Sequence, residues 1–234
     1  FVLEGVKLNG ALAEDGLNQA YGLQVGRSIQ NSIAKGILSD DYKNSALLNT
    51  AAAIDARMDG SKLAVMSSSG SGDQGITAFV PVLSVWKKIE GTEEQLIRAL
   101  VLSNLVPIHI KKQLGRLSAI CGATVAGVGA GVGIVYLLGG NYDQMVMAIQ
   151  NQIGGITGLF CDGAKNSCAV KAANSVDAAF NAATIALNGF GIQGYEGIVD
   201  DDVEKSIQHM ALLGSEGMQK TDAMILEIMV NKTK

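Results

Sequence analysis

Proline is nearly missing from this chain: Pro81 and Pro107 are the two copies in 234 residues. No repeat and no low-complexity linker divides it either, so a single domain over 1–234 is expected, long enough to bury a sizeable core. Charge is also sparse. Asp, Glu, Lys and Arg make up 17% of residues against 48% apolar, which excludes a disordered chain. The net charge of −4 offers no basic stripe, so nucleic acid is excluded as a partner. Cysteine is limited to Cys121, Cys161 and Cys168. An odd count would strand one thiol in an oxidised secreted protein, so a reducing cytoplasm is the expected compartment. The opening FVLEGVKLNG has no charged n-region and no small-residue cleavage site; it reads as mid-chain sequence, and part of the natural protein is expected to precede it.

What the chain does carry is helical patterning. Leu17, Ala20, Tyr21, Val25 and Ile29 predict a helix over 16–35, with Gly36 as its C-terminal stop. An Ala/Leu-rich helix is expected over 45–57, ended by Asp59-Gly60. Thr92 followed by Glu93 and Glu94 reads as an N-cap with an acidic first turn, opening a helix through Leu102. Two more helices are expected near the end, the last from Thr221. Strand signals are few, and 62–66 is the best of them.

The uncharged run between Arg116 and Asp143 holds seven glycines, with Gly127/Gly131 and Gly129/Gly133 in G-x-x-x-G spacing. Its length suits a bilayer, but its glycine and alanine content gives poor transfer energy, and no second span accompanies it. A buried core helix is the better reading, with glycines at helix–helix contacts.

Three stretches could carry chemistry. The loop SSSGSGDQGI (67–76) formally matches G-x-G-x-x-G at Gly70 to Gly75. A dinucleotide fold would also need a preceding strand and a second parallel strand, while Pro81 interrupts the segment that follows. The same small residues could instead turn backbone N–H groups toward an anion such as a carboxylate, or simply make a turn. Cys161 and Cys168 form C-x6-C, with Cys121 far upstream and Gly122, Gly158 and Gly163 nearby. Three thiolates suit a [4Fe–4S] cluster with one open iron; a zinc site would need His109 or His209 as a fourth ligand; plain buried cysteines are the third reading. Lys111, Lys112 and Arg116 form a basic group ahead of Cys121, able to bind a carboxylate or lower a thiol pKa, or merely to face solvent.

Taken together, DARMDGSKLAVMSSSGSGDQGI, IKKQLGRLSAICGATVAG and GITGLFCDGAKNSC occur in an order and at spacings that resemble the serine dehydratase α-chain family, including the L-cysteine desulfidases, most clearly over 47–192. The resemblance implies a mainly α, glycine-rich helical fold with few or short strands. It implies a [4Fe–4S] cluster on Cys121, Cys161 and Cys168, one that an aerobic preparation can strip. It implies a β-eliminating deaminating lyase, turning L-cysteine into pyruvate, ammonia and sulfide, or L-serine into pyruvate and ammonia, without pyridoxal phosphate. Ser67, Ser69, Gly70, Ser71, Gly72 and Asp73 would hold the substrate carboxylate, and His109, Lys111 and Asp73 are base candidates by type. The implied partners are a small amino-acid substrate and an N-terminal part of the same protein, with self-association left open and no membrane. The competing expectations are a cluster-free scaffold and a nucleotide-binding domain using Gly70 to Gly75.

Overall fold

A computed structural model describes residues 1–115 and 118–232, and it is mainly α-helical, as expected. The helices are α1 (Val2–Asn18), α2 (Val25–Ala34), α3 (Tyr42–Met58), α4 (Gly72–Ile89), α5 (Glu93–Leu114), α6 (Gly122–Leu137), α7 (Tyr142–Gly155), α8 (Cys168–Leu187), α9 (Val203–Leu212) and α10 (Gln219–Val230). A π-helical turn (Leu213–Gly217) joins the last two.

The glycine-rich run forms α6, the axis of the molecule, with 123–135 buried throughout. Residues four apart share a helix face and residues two apart lie on nearly opposite ones. The two G-x-x-x-G pairs therefore serve different neighbours. Gly127 and Gly131 face α8: their Cβ atoms would lie 3.0 Å from Ser175 O and 3.4 Å from Ala179 O. Gly129 and Gly133 face α5, where Cβ atoms would lie 2.2 Å from Ser103 O and 3.0 Å from Ala99 O. Pro107 helps on that side. Lacking an N–H, it leaves the Ser103 carbonyl without its usual helical donor, and the Gly129 backbone closes on that oxygen. Among the described residues no helix is long and apolar enough to cross a membrane.

Three expectations need correction. The 16–35 pattern is real but spans two helices, broken at Gly22 and Gln24, both in the left-handed region. The break lets α1 and α2 both lie on α3, where Gly16 and Gly26 close on the backbone around Ala52. Gln24 offers α2 no side-chain cap; buried Asp55 of α3 supplies it, its Oδ2 accepting from Gly26 N at 3.0 Å. Segment 62–66 is irregular, with a bend at Leu63, and among the described residues it pairs with no strand. Buried Asn9 does the pairing instead, accepting from Met66 N (2.9 Å) and donating to Met66 O (3.2 Å). Pro81 does not end the helix that follows the serine loop: α4 runs through it, because 74–85 is buried throughout and packing outweighs the lost hydrogen bond. The remaining signals read true. Gly36 (φ 69°) follows α2, Gly60 (φ 92°) follows α3, and Thr92 makes a full capping box with Gln95, opening an α5 that runs well past Leu102.

Candidate functional site

Two of the cysteines are placed by a minimal antiparallel pairing. Ile120 and Phe160 bridge, Cys121 N donates to Leu159 O (2.8 Å) and Cys161 N donates to Ala119 O (2.7 Å). Side chains alternate along such a ribbon, so the residues flanking the bridged pair share one face. Cys121 and Cys161 thus meet diagonally, close enough for their thiols to hydrogen-bond. Cys121 then caps α6, and Cys168 opens α8. All three thiols are free and lie in one apolar cluster with Ile54, Ile76, Val80, Ala123 and Ala172.

Their electrostatics are unequal. Cys161 is held below the usual thiol range by the hydrogen bond from Cys121, helped by the Gly163 N–H and the Lys171 ammonium. Cys121, the donor of that bond, is pushed up, with burial adding to the effect. Burial also raises Cys168. Asp162 braces the loop between Cys161 and Cys168, paired with Lys171 and, at 2.6 Å, with Lys165.

The serine loop adjoins this pocket. Ser68 and Ser71 exchange backbone hydrogen bonds (3.1 and 2.9 Å) across Ser69 and Gly70, which both have positive φ, a type I′ turn. Ser69 at φ 48° is a strained placement for a residue with a side chain. The Ser68 and Ser71 amides are spent on each other. Beyond them Ser71 caps α4 at Gln74 N, leaving Gly72 and Asp73 N–H at the open helix end. Asp73 pairs with Arg57 at 2.8 Å and lies within electrostatic reach of Cys168, whose thiol donates to the Gly163 carbonyl at 3.6 Å. Burial pushes the Asp73 carboxyl up despite the Arg57 pairing. The start of α4 also touches the start of α6: a Cβ at Gly122 would lie 3.4 Å from Gln74 Oε1 and 3.9 Å from Ser71 Oγ. Three helix N-termini, those of α4, α6 and α8, therefore converge on the three thiols.

Of the base candidates, Lys111 sits within electrostatic reach of Cys161, and burial pulls its ammonium pKa down. Asp73 is at the site as described. His109 is elsewhere, bonded at 2.7 Å to Glu204 of α9 on the rim of an apolar pocket between α5, α7 and α9. His209 bonds the Ile198 carbonyl. Neither histidine can complete a zinc site, and among the described residues no three His, Cys, Asp or Glu side chains are arranged around a single ion. A cube of irons asks less: each thiolate takes a different iron, so the thiols need only line one hollow. Gly122 leaves room for a Cβ at the edge of that hollow, in ordinary contact with Gln74 and Ser71, so no packing contact forbids an alanine there. Arg116 lies outside the described residues.

The dinucleotide reading fails on architecture: among the described residues there is no sheet, only two isolated bridges, and so no parallel strands to build the fold it needs. Residue-type reasoning passed over Arg57, Gln74 and Lys171. Arg57 and Gln74 sit inside motifs already singled out, and Lys171 lies three residues past Cys168, one helical turn away on the same face.

A glycine-cored helical domain with three free thiols at convergent helix N-termini is the class of protein defined so far. The sequence profile of the serine dehydratase alpha chain family matches residues 1–227, and the chain belongs to that family. It is 51% identical over 232 residues to a UPF0597 protein of Oleidesulfovibrio alaskensis, covering 99% of this chain and 54% of that one. It is 46% identical over its full 234 residues to the UPF0597 protein of Actinobacillus pleuropneumoniae and to UPF0597 protein YhaM of Escherichia coli, in each case 54% of the relative. The chain thus spans about half the length of the curated relatives it matches.

Proposed function

We propose that this chain is the cluster-holding part of an oxygen-sensitive lyase that β-eliminates and deaminates a small amino acid, L-cysteine or L-serine. One observation carries the reading: three separate segments bring Cys121, Cys161 and Cys168 together at the N-termini of α6 and α8, beside the start of α4. A [4Fe–4S] cluster on these thiolates would supply a Lewis-acidic iron for the β-leaving group. The protein's own groups do the rest. Gly72 and Asp73 N–H, at the positive end of α4, receive the substrate carboxylate, with Arg57 and the Ser67–Ser71 turn holding that helix end in place. Lys111, by position, is the candidate to take the α-proton. Loss of that proton and of the β-hydroxyl or thiol leaves an enamine, whose imine form is hydrolysed by water to pyruvate and ammonia. A cytoplasmic location is proposed with this reading, since three unpaired thiols suit a reducing compartment.

The relatives' other half is proposed to complete this site. Catalytic groups must be held within about 0.5–1 Å of productive geometry, and loss of a general base alone costs roughly 10²–10⁴ in rate. Anaerobic reconstitution with iron and sulfide, followed by pyruvate release from L-serine and L-cysteine, tests the reading. Brown colour and pyruvate are expected from the full-length protein, with little turnover from the 234-residue piece alone. A colourless, inactive full-length protein would leave only a scaffold, and full activity of the piece would show the site to be complete in it.

A further inference from the structure

Gln74 is 1% exposed, and its side chain is fixed from one end: Nε2 donates to Ser68 Oγ at 3.4 Å. The other end, Oε1, is buried and has no donor. A buried carbonyl oxygen left unpaired costs about 1–3 kcal/mol, so such an atom calls for an explanation. It borders the hollow at Gly122, 3.4 Å from where a Cβ would sit. Glycine is not required there by packing, since a Cβ would meet Gln74 and Ser71 only at ordinary contact distances. It is a poor helix former at the first position of the central helix. Glycine at 122 thus leaves Cβ-sized room next to Cys121, with an unpaired acceptor at its edge.

An acceptor is unusual in that place. Open helix ends present N–H donors, which suit the carboxylate half of an amino acid. The α-ammonium half needs the opposite. Asp73 is engaged by Arg57, and Ser71 Oγ already accepts from Gln74 N at 3.3 Å. Gln74 Oε1 is uncommitted.

We infer that Gln74 Oε1 receives the α-ammonium group of the substrate in the hollow beside Gly122, making the site selective for α-amino acids over carboxylic acids that lack an α-donor. The inference rests on the proposed lyase reading and assigns a substrate contact within it.

L-Alanine and propionate separate the two. They share a carboxylate and a methyl group, lack a leaving group, and differ in the α-ammonium. Calorimetric titration of the anaerobically reconstituted full-length protein with each compound measures binding, and pyruvate release from L-serine and L-cysteine is followed separately. Wild type should bind L-alanine more tightly than propionate. Gln74→Met, similar in length but without the acceptor, should weaken L-alanine on the order of ten- to a hundredfold, the usual loss for one hydrogen bond to a charged group, and leave propionate unchanged. Gln74→Glu keeps an acceptor and should keep the preference. If Gln74→Met does not fold, Gly122→Ala gives the second test: it should fold with an unchanged melting temperature and bind L-alanine more weakly by filling the hollow. An undiminished L-alanine preference in Gln74→Met, equal binding of the two compounds by wild type, or binding of neither would each overturn the inference. Pyruvate release with an unaltered preference would sink the contact and leave the lyase. A preference lost in Gln74→Met without any pyruvate would sink the lyase and leave an amino-acid site.

Discussion

Replacing Gly129 with alanine sets two opposing effects against each other at one atom. In a helix interior alanine is favoured over glycine by about 1 kcal/mol, so an isolated α6 would gain. In the folded protein the added Cβ would lie 2.2 Å from Ser103 O and 2.5 Å from Pro107 Cδ. Both neighbours belong to the α5 backbone or to a proline ring fused to it, so neither can swing aside. Ser103 is itself buried, and its Oγ donates to Ala78 O of α4 at 2.6 Å, which ties the position to a third helix. To relieve the clash α5 must move away from α6 by on the order of 1 Å over its middle turns, opening gaps along a close-packed seam. Overpacking of this kind typically costs about 1–3 kcal/mol, and here at the upper end, since backbone has to move. The net expectation is a destabilisation of roughly 1–2 kcal/mol, a fall of about 2–8 °C in melting temperature for a chain of this size. Scanning calorimetry beside urea titration would measure it, the urea slope checking that the unfolded state is unchanged. A melting temperature equal to or above wild type would refute the packing argument. The control is Gly122→Ala in the same helix, where the Cβ meets nothing closer than 3.4 Å and stability should be kept.

Cys161→Ser in the full-length protein should remove cluster colour and pyruvate release together; retention of colour would take Cys161 out of the ligand set. Asp55 gives a pH signature. Burial raises its carboxyl from 3.8 to about 6, so the folded state binds this proton more tightly than the unfolded one. Its contribution is therefore fully present below about pH 4 and is lost as pH rises through 6, by at most about 3 kcal/mol. Asp55→Asn should flatten the urea midpoint between pH 4 and 7 relative to wild type, and parallel curves would contradict this. Asn9→Ala should lower stability by about 1–3 kcal/mol, because Met66 N and O both lose their partner in a part-buried setting; proteolysis of the 62–66 segment would report the loosening, and unchanged resistance would argue against Asn9 as its anchor.

The helices with strong local punctuation were legible in the sequence. Thr92 with Gln95, and Gly60 after α3, act through hydrogen bonds within a few residues, so the residues that decide the structure are the ones seen together. The failures share a different cause. A second helix starts after Gln24 because Asp55, far along the chain, caps α2. Segment 62–66 forms no strand, and its Met66 backbone is instead paired by the Asn9 side chain from α1. Pro81 is tolerated because the burial of α4 is decided by other helices. At the site, cysteine spacing allowed a cluster, zinc or plain core, and no local feature could separate them. The short pairing of Ile120 with Phe160 brings Cys121 to Cys161, and two residues flanking a single bridge leave no strand pattern to read. Gln74 was hidden for another reason: its meaning lies in a bond it does not make.

The electrostatics of the site follow from topology more than from side chains. Arg57 and Lys171, two of the cations near the thiols, are already paired with Asp73 and Asp162. Their net contribution to an incoming anion is correspondingly reduced. Each helix N-terminus carries roughly half a positive charge on unpaired N–H groups, and three begin here. A thiolate-bound cluster and a substrate carboxylate are both anionic, and backbone dipoles can favour both without the pairing that consumes a lysine or arginine. Such dipoles are fixed by the fold and need no reorganisation when charge arrives. The glycine-cored α6 is what allows it: by letting α5 and α8 approach closely along its length, it sets α8 beside it in a register where Cys168 and Cys121 begin their helices at one end of the molecule. Widening that seam should displace the helix ends relative to one another, so a substitution at Gly127, where a Cβ would lie 2.8 Å from Gln152 Nε2 and 3.0 Å from Ser175 O, is expected to weaken cluster retention before it unfolds the protein. Cluster loss measured against temperature in Gly127→Ala, set beside its melting curve, distinguishes the two: coincident transitions would show that the axis supports stability alone.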